Sequence, residues 1–310
     1  MKDPIFRRLL QLHPKFSDLS LGRINQLLKK IDFNEKKLPK VIHIAGTNGK
    51  GSTAAILKSI INQHGYSTHV YTTPHLVKFN ERIQINSKNI SNKKLLEYLR
   101  YCEKKNEGKL ITFFEITTAA AFKAFQDHKA DFLILEVGLG GRFDATNIIK
   151  LPKFAAITPI SIDHQDFLGN SLNQIAFEKL GILNNKSINY INKQKPNVMN
   201  FIHSEIKRRK LKAAFFGNDW KIRLMSSVSS VKTLNESPSL KNSELANAFS
   251  ASPNILAMSL SSRSFMVHCI PMMRSVMESL ASFKTGSSVM PWPASKESAY
   301  RFMATTIVFK

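Results

Sequence analysis

Seven residues, Gly46-Thr47-Asn48-Gly49-Lys50-Gly51-Ser52, put glycines, a lysine and hydroxyls into one short stretch of chain. Glycines let a backbone turn tightly and aim its N–H groups at phosphate oxygens. If a helix follows, its N-terminus adds partial positive charge. Lys50 would then reach outer phosphates, and Ser52 would support a phosphate–Mg²⁺ unit. The spacing departs from a strict Walker A word, because Ile44 stands where its first glycine would be. The bland alternative is a plain glycine turn between a strand and a helix.

Four further segments carry reactive side chains. Tyr71-Thr72-Thr73-Pro74-His75 and Phe79-Asn80-Glu81-Arg82 mix a hydroxyl, an imidazole, a carboxylate and a guanidinium, and alone would suit a solvated loop equally well. Glu136 closes an apolar run and opens Gly138-Leu139-Gly140-Gly141-Arg142-Phe143-Asp144. An unpaired carboxylate at the end of a buried strand is costly, and a cation such as Mg²⁺ would relieve that cost. Arg142 can hold a carboxylate or phosphate through two parallel hydrogen bonds. Asp163-His164 offers a second metal locus beside Glu136, although such a pair is more often structural. Glu178-Lys179 reads by itself as the solvated end of a helix.

The surrounding pattern supplies the elements that position these groups. Apolar residues recur at helical spacing over 5–31. Residues 38–45, 68–71, 131–137, 154–160 and 213–216 read as strands, and 52–64, 93–104, 116–128, 172–180 and 197–208 as helices. The run Asp131-Phe132-Leu133-Ile134-Leu135-Glu136-Val137 is apolar enough for a strand covered on both faces. Alternating strands and helices predict an α/β fold, a mostly parallel sheet flanked by helices. In such sheets the site lies beyond the carboxyl ends of the strands, where the glycine words stand.

Composition bounds the class. The 310 residues are 43% hydrophobic and 22% charged, ordinary for a globular chain. No apolar run reaches membrane-span length, and the N-terminus lacks a signal-peptide pattern. Cys102 and Cys269 form no pair motif or metal spacing, so a cytoplasmic, reduced setting is expected. The net charge of +23 raises nucleic acid as a partner. The basic residues are spread out, however, without an aromatic-interleaved platform, so a general field favouring small anionic substrates fits better. The texture changes after Ile222: from Arg223 to Lys310 there is no aspartate, twenty residues are serine, and eight of the ten methionines fall there. Two units are therefore expected, 1–222 as the folded domain and 223–310 as a Ser/Met-rich tail, disordered or out of frame.

The words GTNGKGST, TTPHLVKFNERI, TFFEITTAAAF, LEVGLGGRFDATN, ITPISIDHQDFLG and FEKLGIL resemble, in order and spacing, bacterial folylpolyglutamate synthase/dihydrofolate synthase, of the Mur ligase superfamily. HPKFSDLSLGRINQLLKKI is similar to that family's first helix. The likeness covers about residues 1–222 and implies a P-loop ATPase domain of Mur ligase type. It implies ATP held at Gly46, Thr47, Asn48, Gly49, Lys50, Gly51 and Ser52, and Mg²⁺ at Thr73, Glu136 and His164. Lys179 matches a lysine carbamylated in the family. Phe113, Phe114, Glu115, Arg142 and Asp144 lie in segments matching its pterin pocket. Lys50, Lys179 and His164 would carry the chemistry.

The implied reaction joins L-glutamate to dihydropteroate or tetrahydrofolate through an acyl phosphate, in a monomer without nucleic-acid or membrane partners. Thr73 stands where serine is usual, and Leu180 where alanine is. Beyond Ile222 the family's Pro-Gly-Arg and Asp-x-Ala-His-Asn words and its glutamate-binding domain are not recognisable, and Leu240–Phe249 (LKNSELANAF) is a faint echo of a family helix. An active folate ligase and a non-catalytic nucleotide-binding remnant of one are therefore both expected readings. A cell-wall Mur-type ligase fits less well, because FFE and GGRFDATN favour the folate branch.

Overall fold

The computed structural model describes residues 3–12 and 20–219. The expected boundary at Ile222 and the segment 223–310 lie outside the described residues.

In chain order the helices are α1 (Pro4–Gln11), α2 (Gly22–Lys30), α3 (Lys50–Gln63), α4 (Asn92–Asn106), α5 (Phe113–Asp127), α6 (Gln165–Leu168), α7 (Leu172–Lys179) and α8 (Pro196–Arg208). The strands are β1 (Lys40–Ala45), β2 (Thr68–Tyr71), β3 (Ile83–Ile85), β4 (Lys88–Asn89), β5 (Phe132–Glu136), β6 (Phe154–Ile157), β7 (Ile188–Ile191) and β8 (Ala213–Phe215). They form one sheet in the order β4-β3-β2-β5-β1-β6-β7-β8. Every pairing from β2 to β8 is parallel, and the β2–β3 and β3–β4 pairings are antiparallel. The expected mostly parallel sheet is thus present, with a hairpin on one edge.

Side-chain alternation divides the core between two faces. Val41, Leu133 and Leu135 pack with Ile24, Leu27, Leu99, Phe122 and Phe125 under α2, α4 and α5. Farther along that face, Ala155, Ile157 and Ile191 meet Ile175, Val198 and Ile202 of α7 and α8. On the other face Ile42, Ile44, Phe132 and Ile134 meet Ala54, Leu57 and Ile61 of α3. Covering on both faces explains why β1 and β5 are nearly continuous apolar runs.

Several boundaries move for local reasons. The helical stretch expected over 5–31 contains two helices, α1 and α2, with 13–19 outside the described residues. The strand expected to reach Ile160 stops at Ile157: Thr158 N–H makes the last bond to β1, at Ala45 O (2.8 Å), and beyond Pro159 the Ile160 N–H goes to Gln194 Oε1 (2.9 Å) instead. The helix expected from Ile116 begins at Phe113, because Thr112 and Glu115 form a reciprocal capping box. The β3–β4 hairpin was not expected; its strands are too short for a period, and its turn signal is Asn86-Ser87, both at positive φ.

Candidate active site

The carboxyl ends of β1, β5 and β6 lie side by side, with Ile44 in register with Glu136 and Ala45 with Ile157. The loop from Gly46 leaves β1 and enters α3 through Gly49, which is left-handed at φ 84°. Gly46, at φ +146°, runs so close to Thr158 that an added Cβ would overlap its hydroxyl. The N–H groups of Thr47 and Asn48 both donate to Pro159 O, at 3.0 and 3.2 Å. Asn48 Nδ2 donates to Ser161 Oγ (3.0 Å), and Thr47 Oγ1 to Ser161 O (3.1 Å). Thr47 and Asn48 therefore fasten the loop to the end of β6. The N–H groups of Lys50, Gly51 and Ser52, in the first turn of α3, are the ones a helix leaves without internal acceptors.

Two lysines converge on this loop. Lys50 Nζ donates to Gly46 O (3.1 Å) and Thr47 O (3.2 Å). Lys179 Nζ, buried at the end of α7, donates to the same Gly46 O at 3.0 Å. Burial first, then Lys50, pulls the Lys179 ammonium down to about 8. The solvated lysine that the helix end suggested is thus a buried one.

Glu136 is buried at the end of β5, and Thr73 N–H donates to its Oε2 at 3.2 Å. Desolvation pushes its carboxyl up to about 7, opposed by Lys50 and the Thr73 bond. A Cβ on Gly51 would stand 3.7 Å from Glu136 Oε2, so this carboxylate faces the first turn of α3. His164, left-handed at φ 49°, starts α6 on an exposed turn, and its Nε2 lies 3.5 Å from Asp163 Oδ2. Among the described residues no three His, Cys, Asp or Glu side chains converge as a metal cage. A cation at Glu136 would draw on few carboxylates plus hydroxyl, phosphate and water oxygens, which suits Mg²⁺.

The second glycine word packs against the segment bearing Lys179. A Cβ on Gly141 would lie 2.7 Å from Glu178 O, and one on Gly181 would overlap the Arg142 backbone. Arg142 N–H donates to Glu178 O (2.8 Å), and its guanidinium stands over Phe143 and Phe177. Arg209 fixes the next turn by donating to Leu180 O (2.8 Å) and Leu183 O (2.7 Å).

The expected pocket residues divide. Phe114 and Asp144 meet across Gly138, where a Cβ would stand 2.5 Å from Phe114 Cζ and 3.1 Å from Asp144 Oδ2. Phe113 packs instead with Phe6 and Phe79. Glu115 Oε2 accepts from Thr112 N–H in the α5 cap (2.7 Å) and from Arg23 Nε (3.0 Å), while its buried Oε1 has no hydrogen-bond partner. Arg142 faces Glu178 on α7, at 3.5 Å.

Sequence reasoning passed over His43, Thr158 and Arg209. The signal for His43 was a lone polar residue inside an apolar strand. Thr158 and Arg209 act through backbone contacts that no spacing rule marks.

An α/β domain with a glycine-rich loop between β1 and α3, two lysines and a buried carboxylate at the strand ends belongs to the phosphate-handling class. The Mur ligase middle domain is matched over residues 44–252, and the chain belongs to that family. The matched stretch continues past Ile222 and across Leu240–Phe249. Dihydrofolate synthase/folylpolyglutamate synthase of Haemophilus influenzae is 43% identical over 170 residues, 55% of this chain and 38% of that protein. The Bacillus subtilis enzyme of the same name is 42% identical over 171 residues, 53% of this chain and 39% of that protein. Among solved structures, Escherichia coli FolC in complex with DHPP and ADP superposes with a TM-score of 0.66 at 32% identity, covering 73% of this chain and 54% of that one. The chain thus spans well under half the length of the curated relatives it matches. Among the described residues no helix is long and apolar enough to cross a membrane.

Proposed function

We propose that this chain carries the ATP- and Mg²⁺-handling part of an amide ligase that joins L-glutamate to dihydropteroate or tetrahydrofolate. The observation that carries the reading is the convergence of Lys50 and Lys179 on one carbonyl, Gly46 O. Supporting it, a bifunctional folylpolyglutamate synthase/dihydrofolate synthase solved with Mn, AMPPNP and L-glutamate bound has a TM-score of 0.64 at 33% identity, over 72% of this chain and 54% of that one.

The residues fit the groups they would hold. The first-turn N–H groups of α3, with Lys50 and Ser52, would take phosphate oxygens, on a loop anchored by Thr47 and Asn48. The buried Glu136, with Thr73 and His164, would hold Mg²⁺, which removes the desolvation cost of that carboxylate. ATP bound there supplies the phosphoryl group that turns a substrate carboxylate into an acyl phosphate, with Mg²⁺ neutralising the charge. Lys50 shifts from backbone carbonyls to the charge that builds on the transferring group. Lys179, drawn toward its neutral amine, is suited to carbamylation and would then add a negative group beside the loop. Asp144 and Phe114 would bind the pterin by hydrogen bond and ring contact, with Phe113, Glu115 and Arg142 shaping the walls. The glutamate amine then attacks the acyl phosphate and releases phosphate. The protein is proposed to work as a monomer in the cytoplasm.

The test is phosphate release by the full chain with ATP, Mg²⁺ and glutamate, with and without dihydropteroate or tetrahydrofolate. Substrate-dependent release supports the ligase. Nucleotide binding with no such release, at any substrate concentration, points to a non-catalytic binding remnant instead.

A further inference from the structure

One buried histidine is connected to the pterin wall of this site. His43 lies mid-β1, 0% exposed, between Val41 and Ala45 on the sheet face that carries α5 and α7. Its Nε2 is 2.9 Å from Thr146 Oγ1, and Thr146 Oγ1 is 2.5 Å from Asp144 Oδ1. Thr146 N–H also donates to Asp144 Oδ1 (2.9 Å), and Leu139 N–H to Asp144 Oδ2 (2.8 Å). His43 Nδ1 is buried and has no hydrogen-bond partner.

These contacts fix the direction of the protons. Thr146 has one hydroxyl proton, so it donates either to Asp144 or to His43. If it donated to His43, the imidazole proton would sit on Nδ1, and a buried N–H would have no acceptor. Orphaned buried N–H groups are rare and costly, more so than an unfilled lone pair. Burial also holds the ring neutral, lowering it to about 3. The chain therefore runs one way: His43 Nε2–H to Thr146 Oγ, and Thr146 O–H to Asp144.

We propose that His43 is a positioning residue which, through Thr146, locks Asp144 as an ionised acceptor for the N–H donors of a fused pyrimidine ring. The inference rests on the pterin reading given above and adds the device that sets it. Asp144 receives donors from three sides yet must stay a carboxylate in a buried wall, where desolvation alone favours its neutral form. A donor on Thr146 from behind leaves that hydroxyl proton no alternative acceptor.

The test is equilibrium binding of dihydropteroate and, separately, of ADP with Mg²⁺ to wild-type chain and to His43→Leu, His43→Gln, Thr146→Val and Thr146→Ser. Glutamine keeps an N–H donor near the Nε2 position. Loss of one buried hydrogen bond that orders a charged acceptor weakens binding about 10- to 100-fold. That weakening is expected for dihydropteroate in His43→Leu and Thr146→Val, with recovery in His43→Gln and Thr146→Ser and with ADP affinity unchanged in all four. Nitrogen NMR of histidine-labelled protein should show His43 protonated at Nε2 and bare at Nδ1, with the Nε2 signal moved by Thr146→Val. Dihydropteroate binding that survives in folded, ADP-binding His43→Leu overturns the inference alone, as does an Nδ1–H tautomer. Wild-type chain that binds ADP but no dihydropteroate overturns the pterin reading and the inference together.

Discussion

Lys50 and Lys179 donate to the same oxygen, Gly46 O, from distances of 3.1 and 3.0 Å. One lysine comes from the first turn of α3 and the other from the end of α7, so the contact joins the two halves of the site. Burial, and after it the opposing Lys50 ammonium, lowers Lys179 to about 8. A substantial neutral-amine fraction then exists at mildly alkaline pH, and the neutral amine is the form that attacks CO₂.

Bicarbonate labelled with ¹³C should therefore give a carbamate carbon signal at pH 8 in wild-type chain and none in Lys179→Ala. In the phosphate-release assay the same variant should lose about 100-fold or more in rate while still binding ADP, as expected for removing a group that acts on developing charge.

Gly181 has no room for a side chain, because the Arg142 backbone occupies the place of its Cβ. Gly181→Ala should lower the unfolding free energy by about 3 kcal/mol, the upper end of the usual range for overpacking, because unyielding backbone stands in the way. Urea unfolding followed by circular dichroism measures it. Gly65→Ala, where nothing stands within 4 Å but φ is +77°, should cost only about 1 kcal/mol from backbone strain.

The buried His43 gives the fold an acid sensitivity. Its folded value is about 3 against 6.5 for the ordinary side chain, so only the unfolded chain takes up its proton between those values. Stability from this group is complete above pH 6.5 and is lost as pH falls toward 3. The slope is about 1.4 kcal/mol per pH unit. Wild-type chain should lose about 2 kcal/mol more than His43→Gln between pH 6.5 and pH 5, read from urea midpoints at each pH. Parallel pH profiles would contradict the neutral, buried imidazole.

Cys102 is buried in the cluster under α4, and burial pushes its thiol up to about 12. In a Cys269→Ser background, a thiol reagent at pH 8 should leave Cys102 unmodified until denaturant is added.

Much of this architecture was legible in the residues. β1 and β5 announced themselves as apolar runs ending in glycine words, because strands covered on both faces need no polar alternation. The glycine spacing located the loop around Lys50. The sequence was silent where the determinant is a contact between distant backbones. Nothing local says that Lys179 turns inward to Gly46 O rather than outward to water, or that Pro159 O receives the N–H groups of Thr47 and Asn48. Nor does anything local say that Glu115 Oε2, expected in the pocket, also pairs with Arg23 while closing the capping box with Thr112. The β3–β4 hairpin escaped notice because strands of three and two residues have no measurable period.

The central claim is that the 46–52 loop and Lys50 hold the phosphates of a nucleotide with Mg²⁺. The most direct measurement is calorimetric titration of the full chain with ADP and Mg²⁺, wild type against Lys50→Ala, with circular dichroism to confirm that both are folded. The account predicts saturable one-to-one binding by wild type and at least about 10-fold weaker binding by Lys50→Ala, the equivalent of about 1.4 kcal/mol for one lost charge–phosphate contact. No binding by folded wild type, or equal affinity in both proteins, would contradict it.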